Sequence, residues 1–147
     1  MYADSISGEN FGWVLGLLYW PRMNANERES VVEKLIGAVY EVSNVLGAGF
    51  LEKVYERALL KELASVGLYA QAQVRFPVMY KGHCVGEYLS DIIVEYEIVV
   101  ELKCVESFTK EHLAQCINYL KATNLKLAFL INFQKPKVEW KRIVYNL

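Results

Sequence analysis

The spacing of apolar residues changes near residue 70, and this change constrains the fold more than any other feature of the sequence. Upstream, apolar side chains recur at helical intervals over residues 27–46 and 50–66. Asn26 is the predicted N-cap of the first helix, and Glu29 completes a capping box. Downstream, apolar and polar residues alternate, which is typical of strands. A chain of this kind must pack helices against a sheet.

Three strands are predicted before a third helix, and two strands after it. The predicted strands cover residues 71–80, 83–95, 97–104, 125–131 and 138–145. The third helix covers residues 109–122 and is capped by Thr109 or Ser107. The fourth strand is almost continuously apolar, which indicates burial on both faces, whereas the last alternates and is expected at a sheet edge. The order ααβββαββ predicts an α/β fold with helices on both sides of a mixed sheet.

The length of 147 residues and the 54% of apolar residues predict one domain with a substantial core. The cysteines at positions 84, 104 and 116 are odd in number and show no Cys-x-x-Cys spacing. This pattern argues against a disulfide scaffold and a zinc ribbon, and it favours a reducing cytoplasm. The two histidines exclude a histidine-rich metal site and leave a carboxylate site open.

An apolar run over residues 11–20 stands apart from the predicted domain. It is about half as long as a membrane-spanning helix, and no basic segment precedes it, so we expect neither a membrane span nor a signal peptide. Residues 1–26 are interpreted as an N-terminal extension that can form a short apolar helix, and residues 27–147 as the domain. The extension leaves a homo-oligomer open.

The charges are distributed unevenly although the net charge is −1. Residues 1–102 carry eight basic and fourteen acidic side chains, whereas residues 103–147 carry eight basic and three acidic ones. This asymmetry permits a basic face that could meet nucleic acid, and ordinary solvated lysines explain it equally well.

Two acidic residues are predicted to meet on the sheet. Asp91 and Glu101 are each five residues from Tyr96, so they lie opposite each other if the hairpin turns about Tyr96. Lys103 shares the face of Glu101 because residues two apart in a strand point the same way. Opposed carboxylates repel, and a cation that prefers oxygen ligands, Mg²⁺ or Mn²⁺, would relieve the repulsion. The set fits metal-assisted phosphodiester hydrolysis, and a solvated strand face is the alternative interpretation.

Two helices carry further polar residues of interest. Glu52 lies in the first turn of the second helix, behind a glycine turn, where the helix dipole alone favours an acidic side chain. On the third helix, His112, Gln115 and Tyr119 are spaced so that they share one face, which is more often a solvated stripe than a site.

Taken together, these motifs resemble the GxxExxxY proteins, a branch of the PD-(D/E)XK nuclease superfamily. The resemblance covers about residues 27–145 and rests on the segments LGAGFLEKVY (46–55), DIIV (91–94), VVELK (99–103), QCINYLK (115–121) and LINF (130–133). The sequence departs from the pattern at two places. Tyr55 follows Glu52 by three residues rather than four, with Glu56 in the fourth place, and Ser90 stands where the superfamily name has a proline.

The resemblance implies a restriction-endonuclease-like fold and a nuclease that uses Mg²⁺ or Mn²⁺ and cleaves DNA more readily than RNA. It implies nucleic acid as the partner, with no membrane involved. The alternative function is a catalytically silent module on the same fold that binds nucleic acid or a protein. Net charge near zero favours this alternative, whereas the intact acidic residues oppose it.

The resemblance also implies a role for each candidate residue. Asp91, Glu101 and the backbone carbonyl of Leu102 hold the metal. Around it, Lys103 orients or activates the attacking water, Glu52 extends the metal shell or holds a water, and Gln115 and Tyr119 support the lysine and the phosphate.

Overall fold

The computed structural model describes residues 8–147, with side chains from residue 12 onward. Residues 1–7 of the predicted N-terminal extension lie outside the described residues. The helices and strands are, in chain order, α1 (Gly8–Tyr19), α2 (Ala25–Leu46), α3 (Glu52–Ser65), β1 (Ala70–Tyr80), β2 (His83–Val94), β3 (Ile98–Lys103), α4 (Lys110–Thr123), β4 (Leu127–Asn132) and β5 (Glu139–Val144). From α2 onward this is the predicted order ααβββαββ.

The strands form one mixed sheet in the order β1-β2-β3-β4-β5. The neighbours β3 and β4 are parallel and are connected through α4, whereas the other neighbouring pairs are antiparallel. Helices α2 and α3 cover one face of the sheet, and α1 and α4 cover the other. Strand β4 is buried along its whole length and β5 lies at an edge, so the predicted fold class is confirmed.

Alternation along β3 distributes its side chains between the two layers. Val100 and Leu102 pack in the core beneath α2 and α3, whereas Val99 packs in the core beneath α4. Burial of each such side chain contributes about 1.5–3 kcal/mol, which fixes the strand's orientation. Since side chains two apart share a face, Glu101 and Lys103 lie on the α4 side of the sheet.

The hairpin between β2 and β3 has the predicted register. Ile92 lies opposite Val100, and Val94 lies opposite Ile98, so the reversal is centred on Tyr96. Tyr96 has a φ of 54°, the left-handed conformation that tight hairpin turns use because it matches the twist of the strands.

The predicted start of α2 is wrong by two residues. The N-cap is Asn24, whose side chain accepts a hydrogen bond from the Glu27 backbone N–H at 2.9 Å, while the Glu27 carboxylate accepts from the Asn24 N–H at 3.1 Å. The Asn-x-x-Glu pattern occurs twice in succession, and the second glutamate, Glu29, forms an ion pair with Arg142 of β5. Asn26 therefore lies inside the first turn of the helix.

Helix α1 packs against the rest of the chain. Trp13, Val14 and Leu17 are buried in the core on the α4 side. The Trp13 ring centroid lies 4.2 Å from that of Tyr96 and 5.3 Å from that of Tyr69. Within residues 8–147, no helix has the length and apolar character needed to cross a membrane.

Candidate active site

Asp91 of β2 extends the contact between β2 and β3 through its side chain. Backbone pairing between the two strands ends at Ile92 and Val100. Just beyond this pair, the Leu102 backbone N–H donates a hydrogen bond to Asp91 Oδ2 at 2.8 Å. A carboxylate thus takes the place that a backbone carbonyl would hold in a continuous ladder. This bond fixes the Asp91 carboxyl group against β3.

Glu101 contacts the Asp91 carboxyl group from β3. Its side chain is only 9% exposed. Burial raises the pKa of the Glu101 carboxyl well above its usual range, and the charge of Asp91 and a hydrogen bond with it raise this pKa further, while the nearby Lys103 charge opposes the shift. Two acidic groups in contact at a poorly hydrated position repel each other when both are ionised, and either a shared proton or a bound cation relieves that repulsion.

Both carboxyl groups line a cavity of about 410 Å³. Its walls come from α3, β2, β3 and α4, so elements distant in sequence meet there. The lining residues are Glu52, Tyr88, Leu89, Asp91, Glu101, Leu102, Lys103, Gln115 and Tyr119. Every residue that the sequence pattern singled out for a role in the site therefore faces the same cavity.

Glu52 reaches the cavity from the first turn of α3. Its Oε1 accepts a hydrogen bond from the backbone N–H of Cys104 at 3.2 Å, which ties α3 to the chain directly after β3. The turn before α3 depends on Gly49, whose φ of +114° is a conformation that other residues rarely adopt. The glycine turn therefore sets the position of the glutamate.

Tyr55 supports the same turn from inside the core. It is fully buried, and its ring stacks on Phe133 with a centroid distance of 4.4 Å. Its hydroxyl donates to the Gly47 carbonyl at 2.6 Å and accepts from the Phe50 N–H at 3.3 Å. Tyr55 is thus a structural residue that helps to position Glu52.

The polar residues of α4 serve three different purposes. Gln115 is exposed, and its Oε1 accepts a hydrogen bond from Lys103 Nζ at 3.5 Å across the cavity. Tyr119 is buried, and its hydroxyl donates to the carbonyl of Val74 in β1 at 3.1 Å. His112 closes a capping box at the helix start, since its Nδ1 accepts from the backbone N–H of the N-cap residue.

The thiols near the cavity are poor nucleophiles. Burial and the Glu52 carboxylate raise the pKa of Cys104 to about 11, and burial raises the pKa of Cys116 to about 12. Both thiols therefore remain protonated at neutral pH.

The sequence matches the model of one known protein family. Residues 29–143 match the model of the PD-(D/E)XK nuclease superfamily. The chain belongs to this superfamily. The match does not extend to the GxxExxxY branch by name, and among curated proteins none matches the sequence.

Two solved structures resemble the chain to different degrees. The crystal structure of SSO0001 superposes with a TM-score of 0.52 at 18% identity, covering 98% of this chain and 80% of that one. An alkaline exonuclease from Laribacter hongkongensis gives a TM-score of 0.48 at 12% identity, covering 90% of this chain and 75% of that one. At 18% identity, the similarity to SSO0001 shows a shared fold and nothing about function.

The donor atoms of the cavity fit a divalent cation. Nucleases of the superfamily generally use such metals. Within the part of the chain that the structure describes, no three His, Cys, Asp or Glu side chains converge as a ready cluster. The acidic pair of Asp91 and Glu101, which lines the cavity together with Leu102, nevertheless supplies the hard oxygen atoms that Mg²⁺ and Mn²⁺ prefer.

The sequence pattern gave no role to two residues that shape the site. Asn132 is fully buried at the end of β4, where its side chain accepts from the Val105 N–H at 3.1 Å and donates to the Val105 carbonyl at 2.7 Å. Its only signal is an amide directly after a continuous apolar strand. Tyr88 lines the cavity from β2 and is one of several tyrosines in an alternating segment, so nothing marks it.

Proposed function

We propose that the chain is a divalent-metal-dependent nuclease that hydrolyses phosphodiester bonds, with DNA preferred over RNA. One observation carries this proposal: the acidic pair of Asp91 and Glu101, the Lys103 ammonium and the Gln115 amide meet in one cavity of about 410 Å³. Superfamily membership supports the same conclusion.

Asp91 and Glu101, with the backbone carbonyl of Leu102, would hold Mg²⁺ or Mn²⁺. Such an ion supplies a water of lowered pKa and neutralises charge on the phosphate. Without a cation, the acidic side chains of the cavity repel a phosphate, and Lys103 alone offsets only part of that charge. The acidic pair therefore makes phosphate binding depend on the cation.

Lys103 and Gln115 act together at the side of the acidic pair. The Lys103 ammonium can stabilise a phosphate oxygen or orient the attacking water, and the Gln115 amide oxygen limits the positions that it can occupy. Tyr119 bonds to β1 through its hydroxyl, so its support of the phosphate runs through the packing of α4. Glu52 completes the acidic wall and can hold a water at this edge.

Within the superfamily we assign the chain to the GxxExxxY branch. Gly49, Glu52 and Tyr55 form one local unit, because the glycine permits the turn, the tyrosine holds it and the glutamate faces the cavity. A cytoplasmic location is part of the proposal and fits the free thiols at residues 84, 104 and 116. The preference for DNA rests on the resemblance to this branch.

The test is a cleavage assay on single-stranded DNA, duplex DNA and RNA with Mg²⁺, with Mn²⁺ and with a chelator. We expect metal-dependent cleavage that Asp91→Asn slows at least about 100-fold, since the substitution removes a charge that the cation requires. Glu101→Gln should behave in the same way, and Lys103→Ala should lose rate but retain metal binding. Glu106→Gln, which changes an exposed acid outside the cavity, is the matched control.

Each other outcome has a defined meaning. Cleavage that survives both Asp91→Asn and the chelator would come from a contaminating nuclease. Binding of nucleic acid without cleavage of any substrate would overturn the proposal and favour the silent binding module.

A further inference from the structure

A second, larger groove of about 670 Å³ adjoins the proposed active site. It lies between the β1–β2 hairpin, α4 and the end of α1. Pro77 and Met79 form its hairpin wall, and Asn118 and Lys121 line it from α4. Most of its surface is therefore apolar, with one amide and one ammonium group along a single side.

Tyr88 lines both the groove and the site cavity, so the two adjoin at this side chain. Helix α4 forms a common wall, because Gln115 faces the cavity and Lys121 faces the groove. Six residues of helix span about 9 Å, so the groove begins within a short distance of the Lys103–Gln115 pair. A chain whose phosphate lies at the acidic pair would reach the groove with its neighbouring nucleotide.

The chemistry of the groove matches an unpaired base rather than a duplex. A duplex presents phosphates on its outside, and one lysine in an apolar groove is a poor match for them. An unstacked base presents an apolar face that packs against tyrosine, proline and methionine, and polar edges that an amide can bond. Its phosphate carries the charge that Lys121 complements.

We infer that the groove holds an unpaired base next to the scissile phosphate, so that the substrate is single-stranded nucleic acid. Tyr88 is the stacking platform, and Lys121 contacts the flanking phosphate. The inference rests on the proposed function, since it places the scissile phosphate at Asp91 and Glu101.

The test measures binding separately from cleavage. The Lys103→Ala protein, which is expected to keep its cation and to lose cleavage rate, is titrated, by fluorescence anisotropy with Mg²⁺ present, into a labelled single-stranded oligodeoxynucleotide, its duplex form and an abasic version of the single strand. We expect the single strand to bind more tightly than either of the others. Adding Tyr88→Ala should weaken binding of the single strand by about 5- to 150-fold, the range measured for loss of one stacking contact, and change binding of the abasic strand little.

Lys121→Ala provides an independent variant, because Lys121 is exposed and its loss is compatible with folding. It should weaken single-strand binding and make it less dependent on salt. Tyr80→Ala and Lys126→Ala are the matched controls, as both residues are exposed outside the groove and should bind like the parent protein.

Equal binding of duplex and single strand, or no effect of both Tyr88→Ala and Lys121→Ala, would overturn the inference. Metal-dependent cleavage of duplex DNA at the same rate in Tyr88→Ala, Lys121→Ala and the parent protein would also overturn the inference. That result would still support the proposed function. Failure of every nucleic acid to bind would instead count against the proposed function itself.

Discussion

Asn132 shows how one buried polar side chain organises the segment that follows Lys103. It lies opposite Lys103 in the parallel pair of β3 and β4. Besides its two bonds to Val105, it accepts a hydrogen bond from the Gln134 N–H at 3.0 Å. The neighbouring Phe133 N–H donates to the Lys103 carbonyl at 3.0 Å. The end of β3 is therefore held by the end of β4 through this asparagine.

We predict that Asn132→Leu destabilises the fold by about 1–3 kcal/mol, because leucine keeps the branched shape of the side chain but leaves the polar groups of Val105 unpaired. The free energy of unfolding in urea measures the effect. Asn44→Leu changes an exposed asparagine of α2 and should stay within about 0.5 kcal/mol of the parent protein. Similar values for the two variants would show that the Asn132 bonds contribute nothing to stability.

Local rules bring the central residues of the site together from the sequence alone. The symmetry of the hairpin about Tyr96 and the two-residue period of β3 place Asp91, Glu101 and Lys103 at one cavity. The same rules cannot distinguish uses that depend on distant packing. Tyr119 and His112 share a spacing pattern with Gln115, which bonds to Lys103. Yet Tyr119 bonds to β1 and His112 caps its helix.

At the scale of elements, the sequence predicts which segments are helices or strands and in what order they occur. It predicts less well where a helix begins and which distant residues it contacts. The strands of the sheet follow from alternation, and the fully apolar β4 lies in its interior. The start of α2 was misplaced because two overlapping Asn-x-x-Glu patterns are locally equivalent, and the partnership of Glu29 with Arg142 of β5 decides between them. No local pattern contains that information.

The docking of α1 depends on one close approach that the sequence does not reveal. A Cβ atom at Gly16 would lie 2.2 Å from Cε1 of Tyr96. The Tyr96 ring cannot easily yield, since the rings of Trp13 and Trp20 lie 4.2 Å and 5.1 Å from it. Arg22 adds an ion pair to the buried Glu97 at 3.6 Å. The glycine therefore lets the helix backbone rest directly on an aromatic ring.

We predict that Gly16→Ala destabilises the protein by about 1–3 kcal/mol through overpacking, even though alanine favours helix by about 1 kcal/mol over glycine. Gly12→Ala is the control in the same helix, because a Cβ there meets nothing within 4 Å, and it should stabilise the fold. Urea unfolding followed by tryptophan fluorescence compares the two. If both substitutions stabilise the protein equally, α1 does not rest on Tyr96 in solution.

At the scale of the whole molecule, the site depends on elements from both faces of the sheet. Glu52 comes from α3 on one face and Gln115 from α4 on the other, and both line the cavity at the end of β3. A cation bound there would therefore be linked to the stability of the complete fold. Because the unfolded chain does not hold Asp91 and Glu101 together, the cation should bind the native state selectively.

The expected consequence is a metal-dependent melting temperature. A cation at about 100 times its Kd stabilises the native state by about 2.7 kcal/mol, which raises Tm by about 5–10 °C for a chain of this size. Asp91→Asn should remove this rise. In metal-free buffer the variant should equal or exceed the parent protein by up to about 1 kcal/mol, because one of two repelling acids is gone and an asparagine oxygen can still accept from the Leu102 N–H. Glu106→Gln should keep the full rise, and a rise that persists in Asp91→Asn would place the cation elsewhere.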